Sequence, residues 1–397
     1  MSTDREDTAV RVLLMASPVP THLLPLLPVA WAARAAGHEV LVAGQPDLVG
    51  AAREGGLPIA VIGHEQREIE TRRERRARGE ADPGAEGGSR REPPWESLAE
   101  RWRARVEDVL DPALDLAGQW RPDLVLADPL EYASLVVGGV LGVPVVHHRW
   151  GVDSFSSRSF DRVQQALAPT CAAHGLSGLA GPDLVLDPCP PSLQHPEAAP
   201  ATPVRFVPSN GTGVRPDWAA RPADRRRICV SLGLRTLALE GPAVLAGALR
   251  GLAELPGTET VATVGAEHRE ALGPLPGNVR LVDPTPLDLF LDGCDLVVHH
   301  GGSGTGLAAI GRGLPQLVLP QTPWTAEHAE RTTELGAGLS LPAAEQQRDP
   351  AAVASAAARL LEEPAHRAAA AVLRAEMLAT PAPADLVADL AALAAAR

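Results

Sequence analysis

Residues 295–311, "DLVVHHGGSGTGLAAIG", join a short apolar run, a turn of glycines and small hydroxyl residues, and a run of small residues with helical character. Few folds accept that order. A run this short and this uniformly hydrophobic fits a strand covered on both faces, as in a parallel sheet, with the glycine turn handing over directly to a helix. The same plan recurs along the chain. "VRVLLMAS" (10–17) is followed by Leu24, Leu27, Trp31 and Ala35 near helical spacing, a closing Gly37, and a second strand in "HEVLVAG" (38–44). Pro25 is tolerable in a first helical turn, whereas Pro28 predicts strain or a kink. "PDLVLADPLEYASLVVGGVLGVPVVHH" (122–148) is another strand–helix–strand unit. "RRICVSLG" (226–233) opens a second series, continued by "TETVATVG", "NVRLVD", "CDLVVHH" and "PQLVLPQ". Strands alternating with helices mean α/β, and two such series mean two parallel α/β units.

Between them, residues 182–222 are rich in proline and read as an interdomain connection with short extended pieces. Residues 64–105 are highly charged around a Pro/Gly centre, and read as an insertion or exposed helix ends about a loop: a solvated segment, or a lid over a large ligand. An Ala-rich helical tail spans 351–397. The 397 residues give ample length for large cores, and the net charge of −13 argues against nucleic acid as a partner. Cys171, Cys189, Cys229 and Cys294 are far apart and form no C-x-x-C pair, so reduced thiols in a cytoplasmic protein are expected. The acidic start lacks a signal-peptide n-region, and the apolar run after it is broken by prolines and His22, so no membrane span is expected.

Four readings of the glycine turn compete. A Walker loop needs a lysine that the stretch lacks. Residues 304–309 match G-x-G-x-x-A, the dinucleotide fingerprint, but the next strand ends in Gln321 and offers no acid for a ribose. A purely structural turn is the third reading. In the fourth, the backbone N–H groups of Gly302 to Thr305 at a helix start cradle a diphosphate, with His300, Ser303 and Thr305 adding donors. No Asp-x-Asp is present for a Mg²⁺-bridged nucleotide sugar.

"CDLVVHHGGSGTGLAAIGRGLPQLVLPQ" with "AERTTELGAGLSL" resembles the donor-binding signature of inverting, nucleotide-sugar-dependent glycosyltransferases of the GT-B fold. The nearest resemblance is to actinomycete enzymes that attach TDP-deoxysugars to antibiotic aglycones. "DPCPPSLQ" (187–194), "RRICVSLG", "NVRLVDPTPLDLFL" and the N-terminal "SPVPTHLLPLLPVAWAARAAGHEVLVA" are similar to family members too, so the resemblance touches both halves. It implies two Rossmann-like domains facing a central cleft: an acceptor domain over 1–205, a linker over 206–224, a donor domain over 225–377, and a terminal helix from about 378 to 397 packing back on the first.

The resemblance places the diphosphate on His300, Gly302, Ser303, Gly304 and Thr305, and the nucleoside on Ser231, Gly233, Pro286 and Leu287. The sugar would meet Gln321, Trp324 and Thr325. Pro284 stands where relatives carry a base-side aromatic, and Trp324 and Thr325 replace an Asp-Gln pair, which points to a less polar, deoxygenated sugar; the alternative for Trp324 is a packing residue outside the pocket. His22 takes the catalytic-base position, with Asp128 as its carboxylate partner and Glu131 as the alternative; read from the residues alone, His22 is also a candidate structural histidine and Asp128 a helix N-cap. The implied reaction is an inverting deoxysugar transfer from a TDP-sugar, as co-substrate, to a hydrophobic polyketide-like aglycone, with no cofactor and no metal. C-glycosylation, an inactive auxiliary protein of the same fold and an NAD-dependent oxidoreductase are the alternatives. A homodimer or an activator partner is compatible with the family.

Overall fold

A computed structural model describes residues 9–78, 94–220 and 224–396. The first sheet has seven parallel strands: β1 (Arg11–Met15), β2 (Glu39–Gly44), β3 (Ile59–Val61), β4 (Leu124–Ala127), β5 (Val145–His148), β6 (Leu184–Asp187) and β7 (Thr202–Pro203), in the order β3-β2-β1-β4-β5-β6-β7. The second has six: β8 (Arg226–Ser231), β9 (Thr258–Thr263), β10 (Val279–Val282), β11 (Leu296–His299), β12 (Gln316–Val318) and β13 (Gly338–Ser340), in the order β10-β9-β8-β11-β12-β13. Every recorded pairing is parallel.

Both faces of each sheet are covered, which is why the strands read as unbroken apolar runs. On β1, Leu13 and Met15 enter the core beneath helix Trp95–Trp120, while Val12 and Leu14 enter the core beneath helix Leu27–Ala35. On β8, Ile228 and Val230 face one way and Cys229 the other. Truncating a fully buried residue such as Leu14 would cost about 2–5 kcal/mol.

Four features sharpen or correct the sequence reading. The prolines after β1 divide the expected helix into Pro20–Leu23, a 3₁₀ turn Leu24–Leu26 and Leu27–Ala35, each starting where a proline lacks nothing by having no N–H. Part of the charged 64–105 segment is core: helix Trp95–Trp120 buries Trp95, Leu98, Ala99, Trp102 and Val106 along one stripe. Helix Glu68–Ala77 lies earlier in that segment, and its Arg73 donates from Nε to the Ala238 carbonyl of the second α/β unit at 2.8 Å; the Pro/Gly centre lies outside the described residues. Finally, the proline-rich stretch supplies β6 and β7, and β13 follows from "GLS", a segment too short to signal itself.

The last helices return to the first unit. Leu386 and Leu390 join the core around Val12 and Leu14, and Leu373 and Met377 close a cluster shared by Val152 and Leu193 of one unit with Leu307 and Ile310 of the other. Pro364–Ala395 is long and apolar enough to cross a membrane by length and composition, but these inward residues are spent on packing. No disulfide joins the four cysteines, all of them buried.

Candidate active site

In each sheet the strand order reverses at one point, between β1 and β4 and between β8 and β11. The crevice outside the carboxyl ends of such strands is where α/β sheets bind ligands. His22 and Asp128 lie at the first of these crevices, and Ser231 with the glycine turn after β11 lies at the second.

At the first crevice, Asp128 follows β4 and is fully buried. Its Oδ2 accepts from Ser17 N at 2.6 Å. Its Oδ1 meets Leu130 N at 3.0 Å, Ser17 Oγ at 3.3 Å and His22 Nδ1 at 3.1 Å. Burial alone would raise the pKa of this carboxyl, but attraction to His22, the hydrogen bonds from His22 and Ser17, and Arg105 outweigh it and hold it below the usual value. An ionised carboxylate only accepts, so Nδ1 of His22 carries a proton, and Nε2 is the nitrogen left to exchange one with a substrate. The His22 side chain is 20 % exposed, enough for a substrate to reach it. The next helix starts at Ala133 with Tyr132 as its N-cap, so Asp128 is not that cap.

Glu131 is drawn into a different arrangement. Its carboxylate is buried and makes no hydrogen bond to His22, and Arg105 Nε is 3.9 Å away. Burial raises its pKa, Arg105 partly opposes this, and Asp128 adds to the rise. The structure thus joins His22 to Asp128 and not to Glu131.

At the second crevice, Ser231 ends β8, His299 ends β11, and helix Ser303–Gly311 begins after N-cap Gly302. Gly302 has no side chain to cap that first turn, so its N–H groups stay available to an anion. The residues of the G-x-G-x-x-A match, 304–309, lie inside the helix and not in the turn before it, so they do not form the dinucleotide loop. The His300 ring occupies a slot made by missing side chains: a Cβ on Gly233 would lie 2.8 Å from its Cε1, and one on Gly302 2.6 Å from its Nε2. Gly301, at φ +92°, passes against the Thr325 carbonyl, where no Cβ fits.

A buttress behind this turn escaped the sequence reading. His299 Nε2 and His328 Nε2 both reach Gln316 Oε1, at 2.8 and 2.9 Å, and His299 Nδ1 accepts from Gly301 N at 3.1 Å. One accepting oxygen fixes both rings as neutral Nε2–H tautomers, which leaves His299 Nδ1 to hold the Gly301 amide. The only sequence signals were a His-His doublet and a polar residue inside an apolar strand.

The other expected donor contacts are placed as follows. Pro286 and Leu287 are buried, with Leu287 packed among Phe290, Cys229 and Val297. Gln321 Nε2 donates to Leu319 O and Gln347 Oε1, both at 2.7 Å. The Thr325 hydroxyl is taken up in a capping box with Thr322. The Trp324 ring packs on Phe155, centroid to centroid 4.5 Å, from across the cleft. Phe155 in turn stacks on Trp95 at 5.3 Å and meets Trp102, which meets Tyr132. Four aromatic residues of the first unit and Trp324 of the second, five of the chain's twelve Trp, Tyr and Phe residues, therefore gather in one cluster.

Buried imidazoles make stability pH-dependent. Burial pushes His147, His148 and His328 down to about 4 from 6.5. Between those values the unfolded chain binds more protons than the folded one, so stability rises with pH across the window and is lost as pH falls from 6.5 towards 4. Asp128 acts lower: its contribution is present above 3.8 and fades below it. The melting temperature is expected to be level above pH 6.5 and to decline below it. A level profile down to about pH 4 would show that the cost of charging these rings is absent or offset by the buried acids Glu131, Asp153 and Glu327, whose raised pKa values act in the opposite sense.

Comparison with known proteins finds relatives over both α/β units. The family profile "Erythromycin biosynthesis protein CIII-like, N-terminal domain" matches residues 31–233, and the corresponding C-terminal domain matches 248–393. Tylactone mycaminosyltransferase of Streptomyces fradiae is 35% identical over 97% of this chain and 93% of its own length. TDP-daunosamine transferase DnrS of Streptomyces peucetius is 34% identical over 97% of each. The solved structure of spinosyn rhamnosyltransferase SpnG is 40% identical with a TM-score of 0.85, covering 96% of this chain and 100% of that one; it has also been solved with thymidine diphosphate and with spinosyn aglycone. A match over both α/β units, in sequence and in fold, makes this chain a member of the erythromycin biosynthesis protein CIII-like family of antibiotic-type GT-B glycosyltransferases.

Proposed function

We propose that the protein transfers a deoxysugar from a TDP-sugar to a polyketide-like aglycone in one in-line displacement that inverts the anomeric centre. His22 Nε2 takes the proton from the acceptor hydroxyl as its oxygen bonds to the anomeric carbon. The bond from that carbon to the diphosphate oxygen breaks, and TDP leaves with the electron pair. Asp128 supports the imidazolium that forms, and the first-turn N–H groups of Ser303–Gly311, with the Ser303 and Thr305 hydroxyls, receive the diphosphate charge.

The observation that carries this reading is the buried Asp128 carboxylate 3.1 Å from His22 Nδ1, at the switch point of one sheet, with the uncapped helix start at the switch point of the other. The relatives' names supply the chemistry: a mycaminosyl group and tylactone, TDP-daunosamine, thymidine diphosphate and spinosyn aglycone. The aromatic group around Phe155 suits a large apolar acceptor. We assign Gln321, Trp324 and Thr325 to the rim of the sugar site, with Trp324 as its apolar wall.

The test is mass spectrometry of products from a panel of TDP-sugars and macrolide or aromatic aglycones, with the anomeric configuration read by NMR. Expected is one deoxysugar added with inversion; a retained configuration overturns the mechanism. The reading uses no metal. Excess EDTA is expected to leave the initial rate within about twofold. A collapse reversed by Mg²⁺ would count against the donor assignment.

A further inference from the structure

The loop after β5, residues 149–154, touches both halves of the proposed reaction. The Trp150 ring lies 4.6 Å from the His22 ring, tilted by 56°. The next residue, Gly151, runs so close to the start of Ser303–Gly311 that a Cβ on it would lie 2.9 Å from Ser303 Cβ. Ser154 then donates from N and Oγ to Glu327 of the donor unit, at 3.1 and 2.6 Å. Six consecutive residues therefore span from the base to the diphosphate helix.

Behind the loop stands "DPCPPSLQ", a motif with no part in the mechanism so far. Gln194 Nε2 donates to Gly151 O at 3.0 Å and to Asp187 Oδ2 at 2.7 Å, and Gln194 Oε1 accepts from Asp153 N at 2.9 Å. One amide thus holds the loop at two points two residues apart. Asp187 also accepts from Arg149 Nη1 at 2.9 Å and from Cys189 N at 2.9 Å, while Arg149 Nη2 donates to Ala199 O at 2.6 Å. Arg149 is 2 % exposed. Burying a guanidinium and a carboxylate brings a desolvation cost that apolar packing would avoid, so the cluster's gain lies in the geometry it fixes.

We propose that Gln194 is a positioning residue for sugar transfer: its bonds to Gly151 and Asp153 set the loop's register, and with it the spacing between the His22 imidazole and the diphosphate held at Ser303. The proposal rests on the assignment of His22 as base and Ser303–Gly311 as the diphosphate site. In-line transfer needs both ends placed within a fraction of an ångström, and a misplacement of about 1 Å costs about 100-fold in rate without weakening binding.

The test uses Gln194→Ala and Gly151→Ala in the full chain, with steady-state kinetics, TDP calorimetry and thermal melting. Gln194→Ala is expected to lower kcat about 100-fold while both KM values and the TDP affinity stay within about threefold. Gly151→Ala presses directly on Ser303 and is expected to lower kcat as well, at a melting temperature close to that of the parent. It keeps the proposal testable should Gln194→Ala fold poorly. A wild-type kcat in both folded variants overturns the proposal, and so does a loss that vanishes once the assay is run cold enough for full folding. His22→Ala is assayed alongside. Turnover retained there means that the base assignment has failed, whereas normal Gln194→Ala and Gly151→Ala beside an inactive His22→Ala removes the positioning role alone.

Discussion

His22→Ala is expected to lower the transfer rate by about 10²- to 10⁴-fold and to leave TDP binding unchanged. The two effects separate because the dyad and the donor turn belong to different sheets. His22 sits in Pro20–Leu23 and is bound to Asp128; the diphosphate turn is held by His299, Gln316 and the glycines around His300. Removing the imidazole leaves Asp128 with Ser17 and Leu130 as partners, so the local fold survives. Product formation by mass spectrometry and TDP affinity by calorimetry read the two sides independently. Unchanged turnover would sink the base assignment; joint loss of turnover and TDP binding would show that the fold, not the base, had been damaged.

The parts legible in the sequence are those where one physical pattern acts alone. The centres of β1, β4, β8 and β11 are apolar because both faces are buried, and the turns after them carry Ser17, Asp128, Gly233 and His300 because strand ends at a switch point line the crevice. Trp95–Trp120 was hidden by charge. Its buried residues 95, 98, 99, 102 and 106 keep helical spacing, but Glu96, Glu100, Arg101 and Arg103 between them dominate the composition. β6 and β7 were masked by the prolines around them, which this sheet tolerates because they fall outside the paired residues or at the edge, as Pro203 does in β7. The His299–Gln316–His328 buttress joins three separate elements, so no local pattern could announce it. Trp324 was legible as a departure from relatives, but its contact with Phe155 depends on how the two units meet.

Asp128→Asn is the second large effect expected, and it separates the two candidate carboxylates. Asp128 spreads four hydrogen-bonding partners over two oxygens, and an amide has only one oxygen. Placed towards Ser17 N, the amide turns its NH₂ against Leu130 N–H and pushes the His22 proton to Nε2, where a base must be empty. Placed towards Leu130 and His22, it turns NH₂ against Ser17 N–H. In either orientation one buried N–H loses its acceptor, at about 1–3 kcal/mol of stability. In both, the imidazolium formed during transfer loses its counter-charge. For charges about 4 Å apart at an effective dielectric of about 20, that is about 4 kcal/mol, or about 10³-fold in rate. Glu131→Gln offers the contrast. Glu131 makes no hydrogen bond to His22, and burial already favours its neutral form, so the change removes little charge from the dyad and the rate is expected to stay within about tenfold. Single-turnover rates with saturating donor and acceptor decide between them. A collapse in Glu131→Gln beside a near-normal Asp128→Asn would exchange the two roles, and with them the reading of Arg105, whose charge would then support the partner of the base and not merely a buried acid beside it.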